Sequence, residues 1–582
     1  MCALKAFCNF LFHVAYVFYE ESQRKVQKKS TTVIEAEFIP LMLLFRYKVL
    51  ILCLCVGYSI GVNSDVDDPG QNGVTLKRFR SKRFRRYDQT RYRRLSATKN
   101  IFLRSVNKHS NVKDHSTTKD SILDVVIVGA GWAGASAGIT LQEKGITNFR
   151  ILEGRSVTGG RSRSVLQSWE GEDIPIDLGS QWVHGVSGNP IMDIVRANGM
   201  PYSISEGQQI FFRESNGGPF PSNEIVSLES ELYSGKNGFL SYQEGKQEST
   251  WNDQSLRITA NQYIASNNLS SYKKKVLQMF FNTFIGQEYA ASLDDLSLWW
   301  WDSDGEFNGQ DAFLYQGYSN LFDAYTKSIQ NKIQTSSKVT LIDTRSKISK
   351  VEYIDENGLE SVLQARKVLV TVPLGVLKAG TIQFKPRLPS KKRRAITNLG
   401  MGLLNKVVLF FNEPDNFWPL NIEWFTDSSF EFYNPPMSLN GDKSFLVGFL
   451  YGDDAKSLEE EFGNDRELYE SKMTARAMVA LRNMFGAGIP DPEISIVTQW
   501  GSDPYSFGSY SFNKVGMGRK ARKLLNKTIR KKRLYFAGEA CHTDFFGTVH
   551  GKWFLRNDKC RRACFKRFFV FIRSISLRGE NG

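Results

Sequence analysis

The most informative absence from this chain of 582 residues is that of cysteine along most of its length. Its seven cysteines are Cys2, Cys8, Cys53, Cys55, Cys541, Cys560 and Cys564. The long stretch between residues 55 and 541 therefore has no disulfide framework and no cysteine-ligated metal site, and we expect no metal. Its fold must depend on a hydrophobic core, for which a composition of 41% hydrophobic residues is sufficient.

The central part of the chain also lacks an excess of charge. Segment 77–99 holds eleven Lys and Arg against one acid, and segment 552–582 holds nine against two, so together they carry +17 and the rest of the chain lowers the net charge to +16. Residues 1–76 balance, and residues 100–551 carry a net charge of −1. A nearly neutral body gives no reason to expect a nucleic-acid partner.

Long hydrophobic runs are scarce, and the one in the leader (residues 1–120) is short. Arg46 and Lys48 precede an apolar run of fourteen residues, 49–62, in the segment 42–62. This pattern is typical of a signal peptide, because the run is too short to span a membrane comfortably. We expect targeting to the secretory pathway, giving a secreted protein or one that associates with the membrane through this segment. The basic segment 77–99 that follows is predicted to be disordered.

A glycine-rich turn opens the body. Residues 123–128 (LDVVIV) form an apolar run typical of a strand buried on both faces of a parallel sheet. Gly129, Gly131 and Gly134 follow with the spacing G-x-G-x-x-G, and a helix then begins. In such a turn the first glycine permits a tight bend, the second admits a pyrophosphate, and the third lets the helix pack on the strand.

An acid at the end of the next predicted strand supports a nucleotide site. The run FRILE ends in Glu153, twenty-four residues after Gly129. A carboxylate at this position accepts hydrogen bonds from a ribose diol and repels a 2′-phosphate, which disfavours NADP. The sequence therefore predicts a dinucleotide site and leaves FAD and NAD open.

Six further motifs occur in the order found in a known family. They are EGRSVTGGRSRS, DLGSQWVHG, VTVPLGVL, LPSKKRRAITNLGMGLLNKVVLFF, WGSDPYSFGSYSF and YFAGEACHTDFFGTVHG. With the glycine turn they cover residues 124–551, and together they resemble the FAD-dependent amine oxidases, most closely the polyamine and spermine oxidases. The resemblance favours FAD over NAD.

The resemblance implies a set of cofactor contacts. They are Gly129, Gly131, Gly134 and Glu153 for the ADP half, Gly160 and Arg161 at the pyrophosphate, Glu539 near the ribityl chain, and Trp182, Thr548 and Val549 around the remainder. Ser509 stands where monoamine oxidases have the cysteine that bonds the flavin. We therefore expect FAD to be bound non-covalently.

Three residues are implied in catalysis. Lys392 matches a lysine that holds a water near flavin N5. Tyr510 matches an aromatic residue that flanks the substrate amine, and His184 matches a residue that contacts the substrate. From sequence alone each also has a simpler interpretation: a solvated basic helix start, an ordinary strand tyrosine and a turn histidine.

Four acids follow a tryptophan triplet in WWWDSDGEFNGQDAF. They are Asp302, Asp304, Glu306 and Asp311. Aromatics with carboxylates suit alkylammonium groups, although a core strand followed by an acidic loop would have the same pattern.

The activity implied is oxidation of polyamines (spermine, spermidine or N-acetyl derivatives) by hydride transfer to flavin, with O₂ as acceptor and H₂O₂ as product. The alternatives are another amine oxidase or an L-amino-acid oxidase of the same family, or a flavin-fold protein that binds without turnover.

The expected fold is α/β, with a doubly wound, Rossmann-like FAD domain and an α+β substrate domain. We predict that residues 121–205, 335–400 and 495–555 form the first, and that residues 206–334 and 401–494 form the second. Residues 556–582 are an atypical basic tail.

Overall fold

The structure is a computed structural model that describes residues 122–204, 210–212, 222–412, 417–418, 424–426, 430–435, 445–529 and 533–553. The predicted signal segment 42–62, the basic segment 77–99 and the tail 556–582 lie outside these residues. Among the described residues, no helix is long and apolar enough to cross a membrane.

The strands are short and come from all parts of the described chain. The first eleven are β1 (Leu123–Val128), β2 (Phe149–Leu152), β3 (Ser164–Trp169), β4 (Glu172–Asp177), β5 (Trp182–Val183), β6 (Tyr202–Ile204), β7 (Ile210–Phe212), β8 (Ala312–Leu314), β9 (Ile333–Gln334), β10 (Lys338–Asp343) and β11 (Ser349–Ile354). The others are β12 (Glu360–Val370), β13 (Gln383–Lys385), β14 (Gly400–Gly402), β15 (Leu404–Phe410), β16 (Trp424–Thr426), β17 (Glu431–Tyr433), β18 (Phe445–Tyr451), β19 (Ile494–Val497), β20 (Tyr510–Phe512) and β21 (Leu534–Phe536).

The helices lie between these strands. They are α1 (Trp132–Glu143), α2 (Pro190–Ala197), α3 (Ser222–Glu229), α4 (Phe239–Ser249), α5 (Leu256–Ser266), α6 (Ser271–Phe281), α7 (Gln287–Tyr289), α8 (Gly317–Thr326), α9 (Leu374–Ala379), α10 (Ser390–Asn398), α11 (Gly452–Phe462), α12 (Arg466–Phe485), α13 (Arg519–Asn526) and α14 (Val549–Trp553). Two π-helical segments follow α3 and α6, Ser230–Ser234 and Asn282–Gly286, and two 3₁₀ segments are Lys327–Lys332 and Glu539–Cys541.

An eight-stranded sheet with β1 near its centre holds the nucleotide motif. Its order is β13-β10-β11-β12-β1-β2-β9, with β21 also paired to β12. Strand β1 runs parallel to β2 and to β12, and β21 runs parallel to β12. Val125 and Ile127 pack into the core that includes α1, and Val126 and Val128 pack into the core on the opposite face. The predicted α/β class is confirmed, including a strand buried on both faces.

A second, six-stranded sheet has the order β19-β15-β18-β17-β16-β7. It draws its strands from residues 210–212 and 404–497, whereas the larger sheet uses residues 123–152, 333–385 and 534–536. Most of the β15 run LNKVVLF is apolar and buried, but it includes Lys406. The division into domains at the predicted boundaries stays a prediction.

Candidate active site

Two clefts meet at the carboxyl end of the central strands, where ligands bind in open α/β sheets. The first is lined by the glycine turn, Glu153 and the segment that follows β21. The second lies between the loop after β4, α7 and the loop before α14. Arg161 lines both clefts, so a single elongated ligand can extend from one to the other.

The glycine turn in the first cleft has the geometry that the motif predicts. Gly129 has φ +106°, in the left-handed region, and a Cβ on Gly134 would lie 1.9 Å from the carbonyl oxygen of Gly129. Gly131 precedes α1 with no side-chain cap, so the first N–H groups of the helix remain available to a ligand. A Cβ on Gly131 would meet no atom closer than 3.9 Å, which leaves room for a ligand against the backbone.

Glu153 lies beside this turn. Its Oε2 accepts a hydrogen bond from the Ala130 N–H at 2.8 Å, and its Oε1 accepts one from the Arg155 N–H at 3.0 Å. Burial raises the pKa of this carboxyl, and the two backbone N–H groups oppose that effect by stabilising the anion. Each carboxylate oxygen has a further lone pair, so Glu153 can still accept hydrogen bonds from a ribose diol.

Arg161 and Glu539 form an ion pair where the clefts join. Arg161 Nη1 lies 3.1 Å from Glu539 Oε1 and donates to the Ser509 carbonyl oxygen at 2.7 Å. The other oxygen of Glu539 accepts from Ser511 Oγ at 2.6 Å and from the Gly547 N–H at 3.0 Å. Both carboxylate oxygens of Glu539 therefore bond protein groups, and Glu539 fixes the guanidinium of Arg161, which faces both clefts.

Backbone groups with unusual conformation complete the first cleft. Gly160 has φ +63° and Gly538 has φ +126°, and a Cβ on either would meet no atom closer than 3.5 Å. Both residues line the cleft. The surroundings therefore fit a dinucleotide whose phosphates lie against backbone.

The second cleft combines aromatic rings with carboxylates. Its aromatic residues are Trp182, Tyr289, Phe307, Tyr318, Phe449, Trp500, Tyr510 and Phe546, and its acids are Glu288, Asp304, Glu306 and Asp311. Asp302, the fourth predicted acid, is buried elsewhere and accepts from Gln247 Nε2 at 3.2 Å. Three of the four acids that the sequence analysis singled out therefore line the cleft. Glu288, the remaining acid of the cleft, was not predicted.

A π-helical segment delivers part of this wall. Segment Asn282–Gly286 interrupts the helix that begins at Ser271, and α7 then carries Gln287, Glu288 and Tyr289 into the cleft. The hydroxyl of Tyr510 donates to the Gln287 carbonyl oxygen at 3.0 Å. This bond fixes the Tyr510 ring in the cleft wall, which agrees with a predicted aromatic contact.

His184 also lines the second cleft. Its Nδ1 lies 2.7 Å from Asp311 Oδ2, and the Gly185 N–H donates to Asp311 Oδ1 at 2.8 Å. Thr548 and Val549, predicted as cofactor contacts, lie in the same cleft at the start of α14.

Lys392 is not in either cleft, so the structure does not place it with the other predicted catalytic residues. Its side chain is 3% exposed, it donates to the Leu525 carbonyl oxygen, and Nζ lies 3.9 Å from the centre of the Phe536 ring. Burial lowers its pKa to about 7. The sequence did not show this burial: Ser390 begins a helix whose third residue turns inward onto α13, where Lys392 joins the two helices.

Lys406 is the lysine that lines the second cleft. Its Nζ donates to the carbonyl oxygens of Asp177 and Gly179, both at 2.8 Å, and to Gln181 Oε1 at 2.9 Å. Burial lowers its pKa to about 8. Sequence reasoning overlooked it, although a lysine inside the apolar run LLNKVVLFF must be buried with polar partners.

Comparison with known proteins agrees with this site. The sequence pattern described as flavin containing amine oxidoreductase matches residues 132–553. The chain is 28% identical over 480 residues to probable polyamine oxidase 4 of Arabidopsis thaliana, which covers 78% of this chain and 91% of the relative. It is also 28% identical to lysine-specific histone demethylase 1 homolog 1 of the same plant, over 74% of this chain but only 50% of the relative.

A solved structure shares the fold. A double mutant of putrescine oxidase, described as a redesign of cofactor binding, superposes with a TM-score of 0.56. The match covers 75% of this chain and 98% of that one at 17% sequence identity. This likeness supports the α/β architecture with its parallel central sheet.

Proposed function

Because the chain belongs to the flavin-containing amine oxidoreductase family, with FAD as its cofactor, we propose that it oxidises polyamines. The observation that carries this proposal is the second cleft, in which aromatic rings and four carboxylates surround the space next to Arg161. Carboxylates attract the ammonium groups of a polyamine, and aromatic faces bind its alkylammonium carbons by cation–π contact.

The first cleft fits the ADP half of FAD. Gly131 and Gly160 leave open backbone for the phosphates, Arg161 would balance their charge, and Glu153 would accept from the adenosine ribose. When bound, FAD supplies a hydride acceptor at N5 and passes the electrons to O₂, giving H₂O₂. Ser509 has a hydroxyl where a thiol would be needed for attachment, which supports non-covalent binding.

We assign to Lys406 the role that the resemblance gave to Lys392. Its ammonium lies in the wall of the second cleft and holds the segment that runs from Asp177 to Gln181. That segment leads directly into Trp182 and His184. Lys406 therefore positions this wall, and its charge favours the transfer of electrons towards an acceptor in the cleft.

The reacting nitrogen must be uncharged, because an ammonium has no lone pair for the forming C=N bond. The aromatic wall formed by Trp182, Phe449 and Tyr510 disfavours a charged nitrogen by desolvation. The acids Glu288, Asp304 and Glu306 suit the nitrogens that stay charged. A polyamine satisfies both requirements, since it offers several nitrogens along one chain.

An L-amino-acid oxidase is less well supported. Such an enzyme needs a free guanidinium for the substrate carboxylate. Within the described part of the second cleft, Arg161 is paired with Glu539 and is assigned to the pyrophosphate, and the Lys406 ammonium already donates to three protein oxygens. We also propose the secretory pathway as the location, on the basis of segment 42–62.

Peroxide production with a panel of amines tests the proposal. The panel contains spermine, spermidine, their N-acetyl derivatives, putrescine, a monoamine and L-leucine, each supplied to the purified holoprotein. We expect peroxide with at least one polyamine and a much smaller kcat/KM with the monoamine and the amino acid. Flavin-loaded protein that oxidises only the monoamine or only the amino acid would contradict the assignment.

A further inference from the structure

His184 and Asp311 meet in the second cleft although 127 residues separate them in the chain. Strands β5 and β8 pair antiparallel, with Val183 opposite Ala312. The residue after Val183 in β5 and the residue before Ala312 in β8 therefore face each other. These residues are His184 and Asp311. Asn189 Nδ2 also donates to the His184 carbonyl oxygen at 2.8 Å, which fixes the backbone of the histidine.

The carboxylate of Asp311 is held on both oxygens. Its Oδ1 accepts from the Gly185 N–H at 2.8 Å, and its Oδ2 lies 2.7 Å from His184 Nδ1. An ionised carboxylate can only accept hydrogen bonds, so Nδ1 must carry the hydrogen in this contact. In the neutral imidazole the other nitrogen, Nε2, is then unprotonated.

We propose that Asp311 is a positioning residue that fixes this tautomer, so that His184 presents the lone pair of Nε2 to an N–H group of the substrate. Among the described residues Nε2 has no hydrogen-bond partner, and His184 lines the cleft. The identity of the ligand as an amine rests on the proposed function. The tautomer itself rests only on the geometry of the pair.

This arrangement adds a neutral acceptor to a cleft that is otherwise acidic. Glu288, Asp304 and Glu306 attract an ammonium by charge, whereas Nε2 accepts from an amine or an ammonium N–H in one direction. The amide N–H of an N-acetyl group can also donate to Nε2, so this acceptor selects for an N–H group and does not by itself separate free from acetylated polyamines.

Asp311→Asn inverts the tautomer with almost no change of shape. The Gly185 N–H remains the partner of the amide oxygen, so the amide NH₂ turns towards His184 Nδ1. Nδ1 must then accept, and the hydrogen moves to Nε2, which opposes a substrate N–H. We expect the dissociation constant of a free polyamine to rise at least about tenfold, which corresponds to about 1.4 kcal/mol.

Glu306→Gln is the matched control, because it removes one carboxylate from the same cleft and leaves the His184–Asp311 pair intact. Loss of an exposed charge should weaken polyamine binding less than about fivefold. Both dissociation constants are measured by anaerobic titration of the holoprotein. If the two variants bind spermine equally well, the proposed role of Asp311 is wrong.

The nitrogen shifts of the imidazole report the tautomer directly. Protein labelled with ¹⁵N-histidine has six histidines, and His184→Gln identifies the signals of His184. In the neutral imidazole we expect the hydrogen on Nδ1 in the native protein and on Nε2 in Asp311→Asn. A native Nε2–H would overturn the proposal. The predicted tautomer in a holoprotein that binds no polyamine would support the tautomer assignment and overturn the proposed function.

Discussion

Replacing Lys406 and Lys392 in turn by methionine separates a lysine of the cleft from a lysine of the core. Lys406 lines the second cleft, and Lys392 lies between α10 and α13. We expect Lys406→Met to lower the rate of amine oxidation by about 10²-fold, the usual scale for removing one preorganised charged donor. Lys392→Met should retain activity within about threefold, because its ammonium faces neither cleft.

The stability of both variants can be estimated from the same contacts. Lys406→Met removes three hydrogen bonds, to the oxygens of Asp177, Gly179 and Gln181, at about 1 kcal/mol each. It also removes a buried ammonium whose pKa is lowered to about 8, a penalty of roughly 3 kcal/mol at neutral pH. These effects nearly cancel, so the variant should fold and its loss of activity can be interpreted.

For Lys392 the same estimate predicts that substitution by methionine stabilises the folded protein. Its pKa falls from 10.5 to about 7, a penalty of up to roughly 4–5 kcal/mol below pH 7, against about 1 kcal/mol for the bond to Leu525. Since the pKa of Lys392 is depressed in the folded state, the free energy of unfolding falls as pH drops from 10.5 to 7. Lys392→Met should flatten this dependence of stability on pH. Urea unfolding at several pH values measures the stability, and stopped-flow oxidation of spermine measures the activity. An active Lys406→Met beside an inactive Lys392→Met would refute the assignment.

Four further outcomes follow from the site. Glu153→Gln should weaken FAD binding about 10–100-fold in titrations of the apoprotein, because it replaces a charged acceptor; unchanged affinity would remove Glu153 from the nucleotide site. Gly134→Ala should cost at least about 2 kcal/mol in urea unfolding, since its Cβ would meet the Gly129 carbonyl oxygen at 1.9 Å; a stable variant would contradict the tight helix–strand contact. Burial raises the pKa of Asp177 to about 6, so the free energy of unfolding should fall as pH rises from about 4 to 6. Asp177→Asn should abolish this contribution to the pH dependence of stability. Because Ser509 offers a hydroxyl where covalent attachment would need a thiol, acid precipitation should release all FAD into the supernatant; a coloured pellet would show covalent attachment.

Local features of the site could be predicted from the sequence. The turn with Gly129, Gly131 and Gly134 is contiguous, and its spacing specifies both the bend and the helix that follows. Glu153 could be placed because it ends the neighbouring strand. Such features depend on a few adjacent residues, whose conformations are set by sterics and by hydrogen bonds within one βαβ unit.

Contacts between distant segments could not be predicted in this way. The Arg161–Glu539 pair spans 378 residues, and the His184–Asp311 pair depends on the register of β5 with β8. The burial of Lys392 could not be predicted for the same reason, since a basic cluster at a helix start does not show which of its members turns inward. The burial of the β15 lysine could have been inferred from its apolar neighbours, but its three acceptors, from Asp177 to Gln181, could not.

The central claim is that the native chain binds oxidised FAD next to a cleft that accepts a polyamine. Anaerobic addition of spermine or spermidine to the purified yellow protein tests it most directly. We expect the visible flavin absorbance to bleach within the mixing experiment and to return when O₂ is admitted. Protein that is saturated with FAD and keeps its colour with every polyamine would contradict the account.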